Sequence, residues 1–551
     1  MKPVNFCTLI IVTLLLAGSG CSRQDTNDPS KLLNERSLRA RTKFLSDDLL
    51  GGRAPGSTGS LIAQRYIASE MQQIGLSPGS GDTSYYQSFE MLETNIDKKI
   101  ALDFNTGNKR ITPQYFDDFI VFPGNQEGSV AVDDAELVFA GYGIKAPEFN
   151  WDDFKDVDVK GKVLLLMNND PDNGDPEFFG GKARLYYGRW DYKYEQAAKM
   201  GAIGAIIIHT DQSAGYPWQV VQTSWSGSLF ELPSEEKTSM EFKAWVTEKL
   251  AYTITELSGN NLDELRKKAQ QQDFKPVMLG IKVHCSFGVN HKPVKVSNVI
   301  GLLPGGDPDL SNQAIVISAH YDHLGTGKPV QGDSIYNGAL DNASGVASIL
   351  ELADAFAKMK SSLRRSLVFL AVDGEESGLL GSLYYSEHPT FPPENIAADI
   401  NIDGANIWGK TKDVVLIGYG KSTIDEIVKK YAGTQDRYVV PDLTPEQGSF
   451  YRSDQLNFAK KGIPALYMGT GQDFINKPEG WGKEIKEEWI RKKYHQPGDE
   501  YDPAWNLAGQ MEDLVLIFNV IEDIADDDNM PAWLPGAEFE SIRKNKVTDE
   551  K

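Results

Sequence analysis

The stretch SLVFLAVDGEESGLLGS, residues 366–382, runs from an unbroken apolar segment straight into acids. Residues 366–372 read as a buried strand. They meet Asp373, Glu375 and Glu376, and adjacent carboxylates repel one another and cost free energy to desolvate. A core strand that ends this way calls for a partner able to offset that cost. The rest of the chain indicates which partner.

From residue 294 onward, strand and helix patterns alternate. Strands are expected over 314–319, ending at His320, over 366–372, over 396–402, ending at Asp403, and over 414–417 and 465–468. Helices are expected over 345–358, 422–431 and 507–524. Alternation of this kind predicts an α/β fold, a mixed and mostly parallel sheet flanked by helices. Upstream, a helix is expected over 35–50, then a turn-rich GGRAPGS at 51–57. Thr58 opens an amphipathic helix in which Leu61, Ile62, Tyr66, Ile67, Met71 and Ile74 recur at helical spacing, and Gly75 ends it. A second, inserted unit is expected over 130–285, with strand–helix–strand order and no metal-type cluster; its His209 reads as an ordinary strand-end residue. The remaining divisions are 22–125, an N-terminal part that opens on a polar tether at 25–33, a main unit at 290–530, and a polar, charged tail at 531–551.

The 551 residues carry a formal net charge of −22 and a pI near 4.9. An acidic surface disfavours nucleic acid and anionic membranes as partners. Lys2 precedes an apolar run at residues 6–17, FCTLIIVTLLLA, which is too short to span a bilayer comfortably. GSGC at 18–21 follows. The segment 1–21 therefore reads as a lipoprotein signal cut before Cys21, which would carry the lipid, or else as an ordinary signal peptide cut near Gly20. Either reading implies an exported protein, at the periplasmic side of a bacterial membrane or the cell surface. The lipid would be its only membrane contact. Cys285 is then the one remaining cysteine, so no structural disulfide is expected.

In sheets of this class, ligands bind beyond the carboxyl ends of the strands. There the sequence places His320-Tyr321-Asp322-His323, Asp341-Asn342 at a helix start, Asp373-Gly374-Glu375-Glu376, Asn401-Ile402-Asp403, and Tyr494-His495-Gln496-Pro497-Gly498-Asp499 in a late loop. Histidines and carboxylates without cysteine suit catalytic zinc better than structural zinc. Two histidines and three acids are more than one such ion takes and suit two ions sharing a carboxylate, with Asp341 the central candidate. Two such ions can activate one water between them, and a carboxylate free of metal, Glu375, could take its proton. Asn342 or Ser344 is expected to cap the following helix. His284, His291 and His388 read as structural or surface residues. Strand alternation that turns His320 inward turns His323 away. Asp373 reads as a turn residue.

In combination, His320-x-Asp322, Gly338-Ala339-x-Asp341-Asn342, Glu375-Glu376-x-Gly378-Leu379-Leu380-Gly381-Ser382, Asn401-x-Asp403 and Tyr494-His495-x-Pro497-x-Asp499 resemble the M28 family of aminopeptidase-like zinc metallopeptidases. The resemblance implies that family's three-layer zinc-exopeptidase sandwich. Residues 159–163 and 197–204 resemble a protease-associated (PA) domain, which implies that the insert is a β-rich PA domain. By the same resemblance His320 and Asp403 would bind one zinc and Glu376 and His495 another, with Asp341 bridging and a cis Asp341–Asn342 peptide. Asp322 would orient His320, and Glu375 would act as general base and then general acid. Gln455 stands where many relatives have a histidine. Tyr451 is expected to donate to the oxyanion, with Arg452 and Asp454 at the pocket edge, and the loop 476–482 to form a lid or pocket wall. The function implied is removal of N-terminal residues from peptides. A carboxypeptidase or dipeptidase on the same site, or an inactive PA-domain binding protein, are the alternatives.

Overall fold

The computed structural model describes residues 28–81, 83–97, 99–172, 175, 178–234, 238–359 and 362–543. Residues 1–21 and Cys21, read above as a lipoprotein signal, lie outside the described residues.

Four parallel strands form the centre of the main sheet, in the order Ser366–Val372, Ala314–His320, Ile396–Asn401 and Ala465–Gly469. The first three are buried along their whole length. That burial explains why they read as apolar runs without alternation. Asp413–Ile417 joins antiparallel beyond Ala465–Gly469, and Tyr438–Pro441 closes that side. From Ala314–His320 the chain passes through the helix Ser344–Ala357 to Ser366–Val372 on one side. The next strand, Ile396–Asn401, lies on the other side. The strand order thus reverses around His320, and such reversals open a crevice at the carboxyl edge.

The helices Glu35–Leu45, Thr58–Ile74, Ser344–Ala357 and Ala508–Asp526 cover one face of this sheet in the largest apolar core. Leu380–Glu387 and Gln455–Ala459 pack on the opposite face. Thr58–Ile74 starts where Ser57 accepts from the Ser60 N–H and ends on left-handed Gly75, as its sequence implied.

The second sheet has a parallel centre, Ser129–Phe139, Val163–Met167, Gly204–His209 and Phe242–Thr247, flanked by helices. One strand, Val277–Leu303, serves both sheets. Its first part pairs with Ala101–Asn105 and Ser129–Phe139, and its later part with Tyr86–Ile96 and Ser366–Val372. The boundary expected between 285 and 290 therefore falls inside a continuous strand. The unit that carries the second sheet is strand-rich, with helices such as Trp190–Lys199 and Glu248–Leu257 packed on its faces.

Two terminal expectations are corrected. Pro29–Leu32 forms a helical turn and Leu33 is buried, so the polar tether is in part packed. In the tail, Trp533 and Phe539 are buried against Phe450 and Tyr451, because their apolar area outweighs the charge around them.

Arg53, from the GGRAPG turn, is fully buried and donates to the backbone carbonyls of Tyr321 (2.7 Å), Asn337 (2.5 Å), Gly338 (3.0 Å) and Leu45. It thereby fixes both the end of the His320 segment and the approach to Asp341. Gly52 beside it has φ +74°, and a Cβ there would lie 2.4 Å from the Gly325 carbonyl oxygen. Replacing Arg53 by Met should destabilise the fold by about 3 kcal/mol or more, because several buried carbonyls lose their donor at once. Urea denaturation followed by tryptophan fluorescence checks this; a loss under about 1 kcal/mol would contradict the role.

Candidate metal centre

Five chain segments meet at the carboxyl edge of the central strands. His320 ends its strand, and Asp403 lies two residues beyond Asn401. Glu375 and Glu376 lie in the turn after Val372, and Asp341 lies in the loop before Ser344–Ala357. His495 lies just past the helix Trp481–Lys492, with φ +53°.

Asp341 is the middle of the cluster. Its Oδ1 lies 3.3 Å from His320 Nε2, which is also 3.3 Å from Asp403 Oδ1. Its Oδ2 lies 3.4 Å from His495 Nε2, which is 3.1 Å from Glu376 Oε2. Two ligands of a tetrahedral zinc at about 2.0–2.1 Å stand about 3.3 Å apart. The donor atoms present fit that spacing on both sides of Asp341. Glu375 Oε2 is 4.0 Å from His320 Nε2, and Glu375 lines the open cleft.

The backbone around these side chains is held by other acids. Asp322 accepts from the N–H groups of Glu375 (3.1 Å) and Glu376 (3.3 Å). Its Oδ1 also lies 3.6 Å from His320 Nδ1, whose nearer neighbour is the Asp322 carbonyl at 3.3 Å. Asp499 accepts from the N–H groups of Leu340 (3.0 Å) and Asp341 (3.0 Å). The Asp341–Asn342 peptide is cis. Asn342 Oδ1 accepts from the Gly345 and Gly404 N–H groups, both at 2.9 Å, tying the helix start to the segment after Ile396–Asn401. Of the two candidate caps Asn342 fills the role, since the Ser344 hydroxyl turns back to the Leu340 carbonyl. A Cβ on Gly345 would lie 2.1 Å from Asn342 Oδ1, so only glycine fits there.

The electrostatics follow from burial. Burial and the neighbouring charges of Glu376 and Asp403 push the Glu375 carboxyl well up, and burial with Asp341 pushes Glu376 to about 8. Burial alone would lower His320, but Glu375, Asp322, Asp341 and Asp403 together hold it well above its usual value. Burial would likewise raise Asp341, but the facing imidazoles of His320 and His495 hold it well below. Burial lowers Arg53 only to about 10, since Asp322, Asp499, Asp341 and Glu376 surround it. An acid cluster of this kind is strongly stabilised by added cations.

Several sequence expectations change. His323 is buried, and its Nδ1 lies 2.5 Å from Glu376 Oε1. Alternation misplaced it because the strand ends at His320. Asp373 is not a turn residue at the surface. It is fully buried, accepts from the Tyr321 hydroxyl (2.7 Å) and the Ser60 hydroxyl (3.3 Å), and is pushed well up by burial and Asp322. Tyr451 does not reach the cleft. Its hydroxyl donates to Glu538 and accepts from Lys421, behind the site. Asp454 is fully buried beside the centre without lining the cleft, and burial pushes it to about 7. Arg452 does line the cleft, over the Tyr216 ring at 4.9 Å. Gln455 links the Phe450 carbonyl to Asn401. The loop 476–482 does not line the cleft, but the helix it introduces does, through Lys486, Trp489 and Ile490. His209, His284, His291 and His388 stand outside the cluster.

The cleft holds about 320 Å³. Trp190, Tyr216, Trp225, Trp408 and Trp489 give it an aromatic wall. Tyr467 and Tyr494, which the sequence reading passed over, also line it. Burial pushes both hydroxyls well above their usual range, so they remain donors. Their signals were available: Tyr467 lies in the central strand Ala465–Gly469, and Tyr494 adjoins His495.

Residues 298–518 match the family described as Peptidase family M28. A "Probable zinc metalloprotease" of Pyricularia oryzae is 39% identical over 112 residues, 20% of this chain and 21% of that protein. "Leupeptin-inactivating enzyme 1" of Streptomyces exfoliatus is 30% identical over 190 residues, 34% of this chain and 39% of that protein. The chain thus aligns with about a fifth of the length of the first curated relatives. The solved aminopeptidase from Aneurinibacillus sp. strain AM-1 has the same fold, with a TM-score of 0.54 at 19% identity over 92% of this chain and 97% of that one.

Replacing Asp322 by Asn would set an amide NH₂ against a backbone N–H of Glu375 or Glu376. Zinc affinity should fall about 10- to 100-fold, measured by competition with a chromophoric chelator. Unchanged affinity would show that Asp322 does not hold the ligand turn.

Proposed function

We propose, with the Peptidase family M28 match of residues 298–518 as premise, that the protein is an exopeptidase that works with two zinc ions and removes N-terminal residues from peptides. The observation that supports this best is the division of donor atoms around Asp341: His320 and Asp403 face one oxygen, His495 and Glu376 the other, and Glu375 is left over beside them. His320, Asp341 and Asp403 would hold one ion, and His495, Glu376 and Asp341 the other. When bound, such ions polarise a scissile carbonyl and ease loss of a proton from water.

The chain's own groups supply the rest. Glu375, open to the cleft, is placed to take a proton from the attacking water and return it to the leaving amine. Tyr467 and Tyr494, which line the cleft, would donate to negative charge developing on the carbonyl oxygen. Trp190, Trp225 and Trp489 exclude water from the cleft and favour apolar substrate surface.

Arg452 supports a second reading. A guanidinium on the cleft wall suits a C-terminal carboxylate, as a carboxypeptidase or dipeptidase would require. Substrate pairs blocked at one end separate the two: an aminoacyl-p-nitroanilide should be cleaved, and an N-acetylated peptide with a free C-terminus should not.

Glu375→Gln should keep the zinc content of the wild type and lower kcat by about 10²- to 10⁴-fold. Zinc by atomic emission and initial rates on an aminoacyl-p-nitroanilide, with and without chelator, check both halves. Surviving turnover in that variant would remove Glu375 from the mechanism.

A further inference from the structure

The strand Phe119–Pro123 pairs with Phe242–Thr247 in the second sheet, and the part of the chain they bound, the 119–247 unit, reaches the metal centre itself. Its helix Trp218–Trp225 presents two faces. Val221 and Trp225, four residues apart, pack into that unit's own core. Val220 and Ser224, also four apart, turn toward the cleft. Ser224 Oγ lies 2.7 Å from Nδ1 of His495, across 271 residues of sequence. The other ring nitrogen of His495 faces Asp341 and Glu376.

An imidazole that gives Nε2 to a cation carries its proton on Nδ1, and a partner at Nδ1 fixes both tautomer and ring orientation. With a cation at Nε2, that partner would be the Ser224 hydroxyl oxygen, accepting the Nδ1 proton. On the other half of the centre, the His320 Nδ1 faces the Asp322 carbonyl of its own segment. The two histidines are thus held differently, one locally and one by a helix from the other unit.

The segment just before that helix is tied to the main unit, and the helix itself packs on Trp190. Arg452 donates to the Ala214 carbonyl (3.1 Å) and stacks on Tyr216. Arg184 donates to the Ser213 carbonyl, and its own N–H donates to the Pro445 carbonyl at 3.0 Å. Trp225 meets Trp190 edge to face at 4.5 Å.

We propose that Ser224 is a positioning residue for His495, so that the 119–247 unit completes one half of the metal centre rather than only walling the cleft. This rests on the reading of His495 as a zinc ligand, and the test separates the two. The full chain is stripped of metal and titrated with zinc against a chromophoric chelator. The variants are His495→Ala and a graded series at Ser224: Thr, which keeps the hydroxyl, Cys, which keeps a weak hydrogen-bonding atom, and Ala, which keeps none.

His495→Ala should lose one of two zinc ions. Ser224→Ala should weaken one zinc about 10- to 100-fold and leave the other unchanged, with Cys intermediate and Thr within about threefold of wild type. A general loss of fold would weaken both ions, and a grading from Thr to Ala would not follow from it. If His495→Ala loses a zinc while the whole Ser224 series binds as wild type does, Ser224 has no positioning role. If His495→Ala binds zinc as the wild type does, the ligand reading falls and this proposal with it.

Discussion

The buried acids at one corner of the sheet are the constraint that the rest of the structure depends on. Asp322, Asp341, Asp373, Asp454 and Asp499 are all buried there, beside Glu375, Glu376 and Asp403. Like charges this close in a medium of low effective dielectric cannot all ionise unaided. The chain offsets part of the repulsion itself. Backbone N–H groups point at Asp322 and Asp499, hydroxyls at Asp373, and the buried guanidinium of Arg53 sits beneath. What remains faces inward around Asp341, where cations would complete the balance.

The fold makes this concentration possible. Parallel strands deliver their carboxyl ends to a single edge, and the reversal of strand order at His320 keeps the edge open. His320 ends its strand, Glu376 and Asp403 lie a few residues past theirs, and Asp341 lies just before the helix Ser344–Ala357, so little chain entropy separates them from the rigid core. His495 is the exception. It comes from a late loop with left-handed backbone and takes its support from a helix of the other unit. Most of the centre is therefore built onto the main sheet, whereas His495 takes a contact from the second unit.

Much of this was legible in the sequence, because it is local. The unbroken run 366–372, the serine before Thr58 and the glycine after Ile74 each dictate their own conformation, and the observed elements lie at or near the expected bounds. The residues around Asp341 were singled out by their positions at strand ends. What escaped is what only long-range packing decides. Nothing near Arg53 signals that its guanidinium will close over three distant carbonyls as well as that of Leu45. Asp373 reads as a turn because Tyr321 and Ser60 are invisible to it in sequence. Tyr451 points away from the cleft, its hydroxyl on Glu538, whereas Tyr467 and Tyr494 line it. Ser224 carries no motif at all, since its meaning arises only where two units touch.

The central claim is that this acid corner is a two-cation site organised by Asp341. Anomalous diffraction at the zinc edge, on crystals of the zinc-loaded chain, tests it most directly. The account predicts two peaks sharing the Asp341 carboxylate, one against His320 and Asp403 and one against His495 and Glu376. A single peak, or two peaks away from Asp341, would contradict it.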